Sequence, residues 1–228
     1  MKTVGIVLSG GSGKRMGTEL PKQYLEVGGY PVLYYSLAVM QKSFLDEIVL
    51  VAAPEWMDYC REELVERYHL TKVTKIVAGG AERYDSVACG LEAAGEADVV
   101  FIHDGARPCI DEAMLARGLE KCLETGACVA AVPSKDTVKI VAEDGRIEYT
   151  PQRSTVWAVQ TPQVFSLDLV RRAYRMLAGQ DAAGITDDAM VVEKMLGLPV
   201  YVYEGSYRNI KITTPEDLIS AERFLAEA

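Results

Sequence analysis

The sequence has few cysteines and histidines, and neither type is spaced as in a metal site or a disulfide framework. The five cysteines are Cys60, Cys89, Cys109, Cys122 and Cys128. They form no Cys-x-x-Cys pair, and an odd number without paired spacing is typical of reduced thiols. The two histidines, His69 and His103, lie far from any cysteine pair, which argues against a zinc site. A Cys109–His103 catalytic dyad remains an alternative, although nothing in the sequence orients it.

The chain also lacks long apolar runs, repeats, long linkers and blocks of like charge. It has 9 Pro and 19 Gly among 228 residues, without a period, which excludes collagen-like and low-complexity classes. A hydrophobic content of 49% excludes intrinsic disorder. The first apolar run, residues 4–8, is too short to span a membrane and is followed by no cleavage site. We therefore expect a cytosolic protein that binds no membrane.

Acidic residues outnumber basic ones, 33 to 24, which gives a net charge of −9. An acidic surface repels a nucleic-acid backbone, so we expect no nucleic-acid partner. A phosphorylated small molecule stays compatible, because a basic pocket can lie in an acidic protein. A chain of this length can bury a core without a metal or a disulfide, and we expect one domain over residues 1–228.

Short apolar segments alternate with longer amphipathic ones along the chain. The predicted strands are residues 4–8, 47–52, 75–77, 99–103, 129–132 and 200–203. The predicted helices are residues 32–42, 58–68, 85–94, 111–125, 167–178, 187–196 and 215–226. Continuous apolar strands are typical of a parallel sheet covered on both faces. The sequence therefore predicts a doubly wound α/β fold that binds ligands at the carboxyl ends of its strands.

Residues 134–154 interrupt this alternation. Residues 137–141 and 146–150 have strand-like composition, and Asp144-Gly145 between them is typical of a hairpin turn. The segment predicts a β-hairpin inserted into the α/β chain. A lone hairpin is marginally stable in water, so it should pack on another surface. A second subunit and the protein's own domain are both open alternatives.

A glycine-rich segment directly follows the first predicted strand. It includes Ser9, Gly10, Gly11, Ser12 and Gly13, followed by Lys14, Arg15, Met16 and Gly17. Exposed backbone N–H groups in such a turn can bind phosphates, and the two basic residues favour that interpretation over a plain βα turn. A Walker loop would need glycine at Leu8, and a dinucleotide fingerprint would need glycine at Met16. The segment therefore predicts a phosphate loop of another type.

Four further segments place polar residues where a ligand can bind. Lys22 follows the glycine-rich loop closely enough to fold back over the same ligand. Gly79-Gly80 precedes a helix on which Asp85 or Ser86 is a candidate cap. Asp104 and Arg107 follow a very apolar strand, as ligand contacts or as a buried ion pair that closes a loop. Lys211 lies in a strand-like run, which is unusual without an anion, whereas Asp187 and Asp188 are explained as helix-terminus acids.

In combination, these motifs resemble the cytidylyltransferase family that couples CTP to methylerythritol 4-phosphate or ribitol 5-phosphate. The matching segments, which cover nearly the whole chain, are Gly11-x-Gly13-x-Arg15-Met16-Gly17, Pro21-Lys22-Gln23, Gly79-Gly80-x-x-Arg83-x-x-Ser86-Val87, His103-Asp104-x-Ala106-Arg107-Pro108, Asp136-Thr137, Thr161-Pro162-Gln163 and Asn209-Ile210-Lys211-x-Thr213. Pro-Lys-Gln distinguishes this family from sugar nucleotidyltransferases, which usually read Pro-Lys-Pro. The chain departs from the family at Ser9-Gly10, where many members read Ala-Ala, and at Gly105, where the methylerythritol branch usually reads Ala.

The resemblance implies a three-layer, Rossmann-like nucleotidyltransferase fold with a mostly parallel sheet and a β-arm, about residues 134–154, that joins a homodimer. It implies a bound Mg²⁺ that bridges the nucleotide phosphates with few or no protein ligands. It implies three catalytic cations: Arg15, Lys22 and Lys211. The implied nucleotide contacts are Ser9, Gly10, Gly11, Ser12, Gly13, Gly80, Ser86 and Asp104. The implied contacts to the acceptor, a polyol phosphate, are Arg107, Thr137, Arg153 and Thr161, with Thr137 and Arg153 supplied by the neighbouring subunit.

Three functions are compatible with the residues. The first is CMP transfer from CTP to methylerythritol 4-phosphate, in isoprenoid precursor synthesis. The second is transfer to ribitol 5-phosphate, in cell-wall polymer synthesis; Arg153 and Ala106-Arg107-Pro108 favour the first, because ribitol-type members more often lack this arginine. The third is a non-enzymatic nucleotide-binding module. Arg15, Lys22 and Lys211 argue against it, because a pure binder need not retain all three cations.

Overall fold

The computed structural model describes residues 1–11, 20–180 and 182–227. Its strands are β1 (Thr3–Ser9), β2 (Glu26–Val27), β3 (Tyr30–Pro31), β4 (Glu47–Ala52), β5 (Val73–Ala78), β6 (Val99–Asp104), β7 (Ala127–Pro133), β8 (Ile140–Val141), β9 (Ile147–Tyr149), β10 (Trp157–Ser166) and β11 (Tyr201–Glu204). Its α-helices are α1 (Val32–Lys42), α2 (Met57–Tyr59), α3 (Arg83–Ala93), α4 (Glu112–Thr125), α5 (Leu167–Leu177), α6 (Asp188–Leu196) and α7 (Pro215–Ala226). A π-helical segment, Cys60–Glu66, continues α2.

Seven strands form one sheet in the order β11-β7-β10-β6-β1-β4-β5. The β1–β4, β1–β6, β4–β5 and β7–β11 pairs are parallel, whereas β10 runs antiparallel to both β6 and β7. The chain moves outward from β1 through β4 to β5 and then returns to β6 on the other side of β1. The strand order therefore reverses between β1 and β6, and open α/β sheets bind ligands at such a point.

Two apolar layers cover the faces of the sheet. On one face, α1, α4 and the π-helical segment bury side chains such as Leu37, Leu64 and Leu115. On the other face, α3, α5 and α6 bury side chains such as Leu91, Val170 and Val191. Burial from both sides explains why the central strands are apolar without alternation. The three-layer, mostly parallel α/β fold is confirmed.

Strand β10 is the main element that the periodicity of the sequence does not predict. It contains a proline, Pro162, and the buried polar side chains of Gln160, Thr161 and Gln163, all of which weaken an apolar strand pattern. Its pairing with β7 shifts register between Val159 and Gln163, which accommodates the proline. The connection from β7 to β10 contains no α-helix, so the two strands are antiparallel neighbours rather than a βαβ pair.

The inserted hairpin is present and shorter than predicted. β8 pairs with β9 in antiparallel register, Ile140 opposite Tyr149, and both strands lie in the segment that joins β7 to β10. Its apolar side chains are exposed: Val141 by 51%, Ile147 by 53% and Tyr149 by 58%. The hairpin therefore leaves much of its apolar surface uncovered by the chain's own domain.

Candidate active site

A cavity of about 390 Å³ opens at the carboxyl ends of β1 and β6. Among the described residues it is lined by Leu8, Ser9, Gly10, Gly11, Lys22, Gln23, Gly80, Ala81, Glu82, Arg83, Ser86, Asp104, Ala106 and Lys211. Main-chain hydrogen bonds continue past the strand ends, from Gly105 N to Leu8 O and from Gly79 N to Ala52 O. These bonds join the loop after β6 to the end of β1 and the loop after β5 to the end of β4. The cavity therefore lies where the reversal of strand order predicts a ligand site.

Gln23 holds the start of the glycine-rich loop through two hydrogen bonds. Gln23 Nε2 donates hydrogen bonds to Ser9 O at 2.6 Å and to Gly11 O at 3.1 Å. Gln23 itself is buried in the short 3₁₀ turn Lys22–Tyr24, and this turn brings Lys22 to the wall of the cavity. The structure therefore brings Lys22 together with the start of the loop, as predicted. The remaining predicted loop residues, Ser12, Gly13 and Arg15, lie outside the described residues.

The Gly79-Gly80 segment turns tightly against the first turn of α3. Gly80 N donates to Ser86 Oγ at 3.2 Å, and Ser86 Oγ donates to Glu82 O at 3.2 Å. A Cβ at Gly80 would lie 2.3 Å from Asp85 Cβ, so this position requires glycine. The N-cap of α3 is Glu82, which forms a capping box with Asp85. Neither Asp85 nor Ser86 is the cap, and Ser86 lies on the cavity wall beside Gly80.

Asp104 is the centre of a charged cluster at the end of β6. Its Oδ2 lies 2.7 Å from Lys211 Nζ, its Oδ1 accepts from Arg83 Nε at 3.2 Å, and Arg107 Nε lies 3.9 Å away. Burial alone would raise the pKa of the Asp104 carboxyl, but Arg83, Lys211 and Arg107 outweigh burial and hold it well below its usual range. Asp104 is therefore ionised, and both of its oxygens are held by cations.

Lys211 reaches this cluster from the segment that follows β11. Ile212 N donates to Ala106 O at 2.9 Å, which carries the segment across the end of β6. The Lys211 side chain keeps 38% of its surface exposed while it pairs with Asp104. The anion that the sequence predicts for this lysine is thus supplied in part by the protein, and the exposed part of the side chain faces the cavity that it lines.

Sequence reasoning missed a partly buried ion pair between Arg83 and Asp188. Arg83 donates from Nη1 and Nη2 to the two Asp188 oxygens at 2.9 and 2.8 Å, and Tyr174 also donates to this carboxylate. Burial would lower the pKa of the Arg83 guanidinium, but Asp188 and Asp104 raise it above its usual value. Asp187 caps α6 and Asp188 lies in its first turn, as predicted, but helix-terminus chemistry is not a sufficient explanation of Asp188, which is fully buried and pairs with Arg83. The sequence signal for this ion pair was Arg83 itself, the arginine of the Gly79-Gly80-x-x-Arg83 motif.

Two predicted acceptor contacts, Arg107 and Thr161, lie behind the cavity rather than on its wall. Arg107 Nη1 donates to Asn209 O at 2.8 Å, which makes the arginine a brace for the Lys211 segment. Thr161 Oγ1 accepts from Asp104 N at 3.0 Å and lies 3.1 Å from His103 Nδ1. Thr161 bonds to the Asp104 backbone, and Arg107 lies beside the Asp104 carboxylate, so both residues hold Asp104 in place. The Asp104–Arg107 pair that closes a loop, the alternative to a ligand contact, is therefore present.

The alternative of a catalytic dyad formed by Cys109 and His103 is wrong. His103 Nε2 lies within hydrogen-bond distance of Ser36 Oγ and Arg107 O, and its Nδ1 is close to Thr161. Burial lowers the pKa of His103 to about 4, so the ring is neutral near pH 7. Burial raises the pKa of the Cys109 thiol to about 11, so a thiolate nucleophile is disfavoured.

The predicted arm residues, Thr137 and Arg153, are both exposed and line no part of this cavity. Thr137 precedes β8, and Arg153 begins a 3₁₀ turn between β9 and β10. One chain therefore brings together Ser9, Gly10, Gly11, Lys22, Gly80, Ser86, Asp104 and Lys211, but not the two arm residues.

At Gly105, one of the two departures from the family pattern, the packing explains the glycine. A Cβ at this position would lie 2.6 Å from Leu33 Cδ1 and 2.9 Å from Leu8 O. A backbone oxygen cannot move aside as a flexible side chain can. The glycine therefore allows β1 and the loop after β6 to approach each other closely below the cavity.

Comparison with known proteins identifies the family. The family model of 2-C-methyl-D-erythritol 4-phosphate cytidylyltransferase matches residues 3–227. The chain belongs to this family. The enzyme of that name from Lachnospira eligens is 49% identical over 222 residues, covering 96% of this chain and 97% of the relative. The enzyme of that name from Lachnoclostridium phytofermentans is 46% identical over 226 residues, covering 99% and 97%.

A solved structure gives the same result for the fold of this cytidylyltransferase family. The 4-diphosphocytidyl-2C-methyl-D-erythritol synthase of Anaerococcus prevotii superimposes with a TM-score of 0.87 at 32% identity, covering 99% of this chain and 96% of the other. The resemblance to a cytidylyltransferase family is confirmed, and so is the Rossmann-like nucleotidyltransferase fold. No helix among the described residues is both long and apolar enough to cross a bilayer.

Proposed function

We propose that this protein transfers CMP from CTP to 2-C-methyl-D-erythritol 4-phosphate, releasing pyrophosphate and forming 4-diphosphocytidyl-2-C-methyl-D-erythritol. The observation that carries the proposal is the cavity at the end of β1 and β6, where a glycine loop faces Lys22, Arg83 and Lys211. Family membership supports the same reaction, because the relatives above bear the name of that cytidylyltransferase.

In this proposal the cavity binds CTP across the carboxyl ends of the strands. The loop that starts at residues 9–11 and extends through Ser12, Gly13 and Arg15 binds the triphosphate through its N–H groups and its charge. Gly80 and Ser86 bind the cytosine with backbone and hydroxyl groups. Asp104 accepts a hydrogen bond from a hydroxyl of the ribose.

The chemical step needs positioning and charge rather than a general base. A phosphate monoester has its second pKa near 6, so the acceptor phosphate is already an anionic nucleophile at pH 7. Its oxygen attacks the α-phosphorus of CTP in line, a new O–P bond forms, the bond to the β-phosphate oxygen breaks, and pyrophosphate leaves. Arg15, Lys22 and Lys211 offset the repulsion between the anions and stabilise the charge of the transition state.

We further propose that a Mg²⁺ ion enters with the nucleotide and neutralises its phosphates. Among residues 1–11, 20–180 and 182–227, no three His, Cys, Asp or Glu side chains are grouped to hold a metal. Of the carboxylates on the cavity wall, Asp104 is held by Arg83 and Lys211, and Glu82 caps α3. This donor set fits an ion bound chiefly by phosphates and water, as Mg²⁺ prefers.

The hairpin arm is proposed to join two subunits and to complete the acceptor site. Exposed Val141, Ile147 and Tyr149 on the arm, together with Trp157 at the start of β10, form an apolar surface that a second copy could cover. In that homodimer, Thr137 and Arg153 of one arm reach the cavity of the partner and bind the acceptor's hydroxyls and phosphate. Arg107 and Thr161 support the acceptor side through Asp104.

The test is pyrophosphate release with CTP and Mg²⁺, comparing 2-C-methyl-D-erythritol 4-phosphate with ribitol 5-phosphate. We expect a strong preference for the methylerythritol substrate. A preference for ribitol 5-phosphate would place the protein in cell-wall polymer synthesis while leaving the CTP site intact. Release with neither acceptor, despite CTP binding by calorimetry, would contradict an enzymatic function and favour the nucleotide-binding module.

A further inference from the structure

A series of ion pairs connects Asp188, the buried first residue of α6, to the lysine on the cavity wall. Asp188 of α6 holds the fork of Arg83, Arg83 Nε holds Asp104 Oδ1, and Asp104 Oδ2 holds Lys211 Nζ. The two ends differ in exposure: the Asp188 side chain is fully buried, whereas 38% of the Lys211 side chain is exposed. The four charges therefore run from the protein interior to the cavity.

Within this series of ion pairs, Asp188 is held by more hydrogen bonds than Lys211 at the other end. Two parallel N–H···O bonds join Arg83 to Asp188, a bidentate geometry that sets the plane of the guanidinium as well as its position. Gln163 Oε1 accepts from Asp188 N at 3.1 Å, and Tyr174 donates to its carboxylate. With both terminal nitrogens on Asp188, Arg83 donates to Asp104 Oδ1 through Nε, and Asp104 Oδ2 accepts from Lys211.

We propose that Arg83 is a positioning residue whose orientation is set by Asp188. Arg83 binds only Oδ1 of Asp104 and leaves Oδ2 to Lys211. It thereby holds the Lys211 ammonium where the transferred phosphate needs it. This inference rests on the proposed function. Without Asp188, Arg83 would have Asp104 as its remaining carboxylate partner. It would then bind both Asp104 oxygens, as arginine forks do, and displace Lys211.

The variant Asp188→Asn separates this role from a simple effect of charge. It removes one negative charge near the triphosphate, so an effect of charge alone would tighten CTP binding and leave kcat unchanged or higher. A positioning role predicts the opposite for kcat. We expect a loss of about 100-fold, the scale of a misplaced reactive group, while the KM for CTP changes far less.

The double variant Arg83→Gln/Asp188→Asn controls for instability, because it leaves no buried charge unpaired. We expect its melting temperature to return toward the wild-type value while kcat stays low, because Asp104 Oδ1 then lacks the Arg83 hydrogen bond that fixes the direction of Oδ2 toward Lys211. Recovery of kcat together with melting temperature would overturn the proposal. Tyr174→Phe is the matched control: it removes one hydrogen bond to Asp188 but keeps the arginine fork, so it should lower stability with little effect on kcat.

A second readout does not depend on turnover. The rate at which an amine-selective reagent modifies Lys211, followed by mass spectrometry, reports whether Asp104 still holds the ammonium. We expect faster modification of Lys211 in Asp188→Asn than in wild type and Tyr174→Phe. Equal rates in all three would overturn the inference even in an active enzyme. Absence of pyrophosphate release by wild type, with the expected labelling pattern, would contradict only the proposed function.

Discussion

Lys211 Nζ and Asp104 Oδ2 lie 2.7 Å apart although 107 positions separate them in the chain. The contact depends on the order of the sheet, since β6 ends at Asp104 and the segment after β11 crosses that end through Ile212. Lys211 thus has a fixed position and an exposed part, the combination that a cation needs to stabilise a transition state.

Replacement of this lysine should affect the chemical step more than nucleotide binding. We expect Lys211→Ala to lower kcat by about 100-fold or more, because preorganised charge acts mainly on the transition state. Lys22→Ala and Arg15→Ala should behave alike, with CTP still bound. Steady-state kinetics of pyrophosphate release measure the effect, and Lys194→Ala, an exposed lysine of α6, is the control. A rise in the KM for CTP with kcat unchanged would contradict the assignment.

Gln23 should control the shape of the glycine loop. Its amide N–H groups face two carbonyl oxygens, Ser9 O and Gly11 O, so Gln23→Glu replaces a donor with a negatively charged acceptor. Loss of such a buried hydrogen bond costs about 1–3 kcal/mol, and we expect CTP affinity to fall by roughly 10–100-fold. Calorimetric titration of CTP measures this. Gln152→Glu, at an exposed position, adds the same charge elsewhere. Equal affinities in both variants would show that the loop does not depend on Gln23.

Two arginines on the arm provide a matched test of the dimer proposal. Arg153→Ala should raise chiefly the KM for the acceptor, because the proposed partner contact binds its phosphate. Arg146→Ala removes the same charge from the hairpin turn, where Arg146 pairs only at 3.8 Å with exposed Asp144, and should leave acceptor kinetics unchanged. Identical kinetics in both variants and wild type would argue against the arm in the acceptor site. Sedimentation analysis tests the dimer separately.

His103 should make folding stability depend on pH in mildly acidic solution. Burial lowers its pKa from 6.5 to about 4. Between these two pH values His103 is therefore protonated in the unfolded chain and neutral in the folded chain. The stabilisation is present above about pH 6.5 and is lost as pH falls toward 4, a total of about 3 kcal/mol. Chemical denaturation from pH 7 to 4.5 measures this slope.

The other histidine supplies the control for this slope. His103→Gln should flatten the dependence on pH, whereas His69→Asn should keep it, since asparagine tolerates the positive φ of 53° at that position. If His103→Gln does not fold, the imidazole resonances of wild type provide the measurement. Protonation of His103 above pH 6 in the folded protein would contradict the prediction.

Much of the fold could be predicted because its signals are local. α1 and α7 have the predicted bounds, and β4 is identical to its prediction. Strand β10 could not be predicted from pattern, because its polar side chains are satisfied only by distant partners. Gln163, for example, donates to Asp187 and accepts from Asp188 N and Ala189 N. A strand with buried amides resembles a loop until those partners are known.

The sequence by itself determined the alternation of strands and helices, the glycine-rich loop and the basic residues near it, because these follow from periodicity and backbone freedom over a few residues. Only the tertiary structure decided which charges meet. Arg83 pairs with Asp104 over 21 positions and with Asp188 over 105. Such pairs depend on the strand order and on the depth at which each side chain is buried, and burial makes an unpaired charge costly enough to fix its partner.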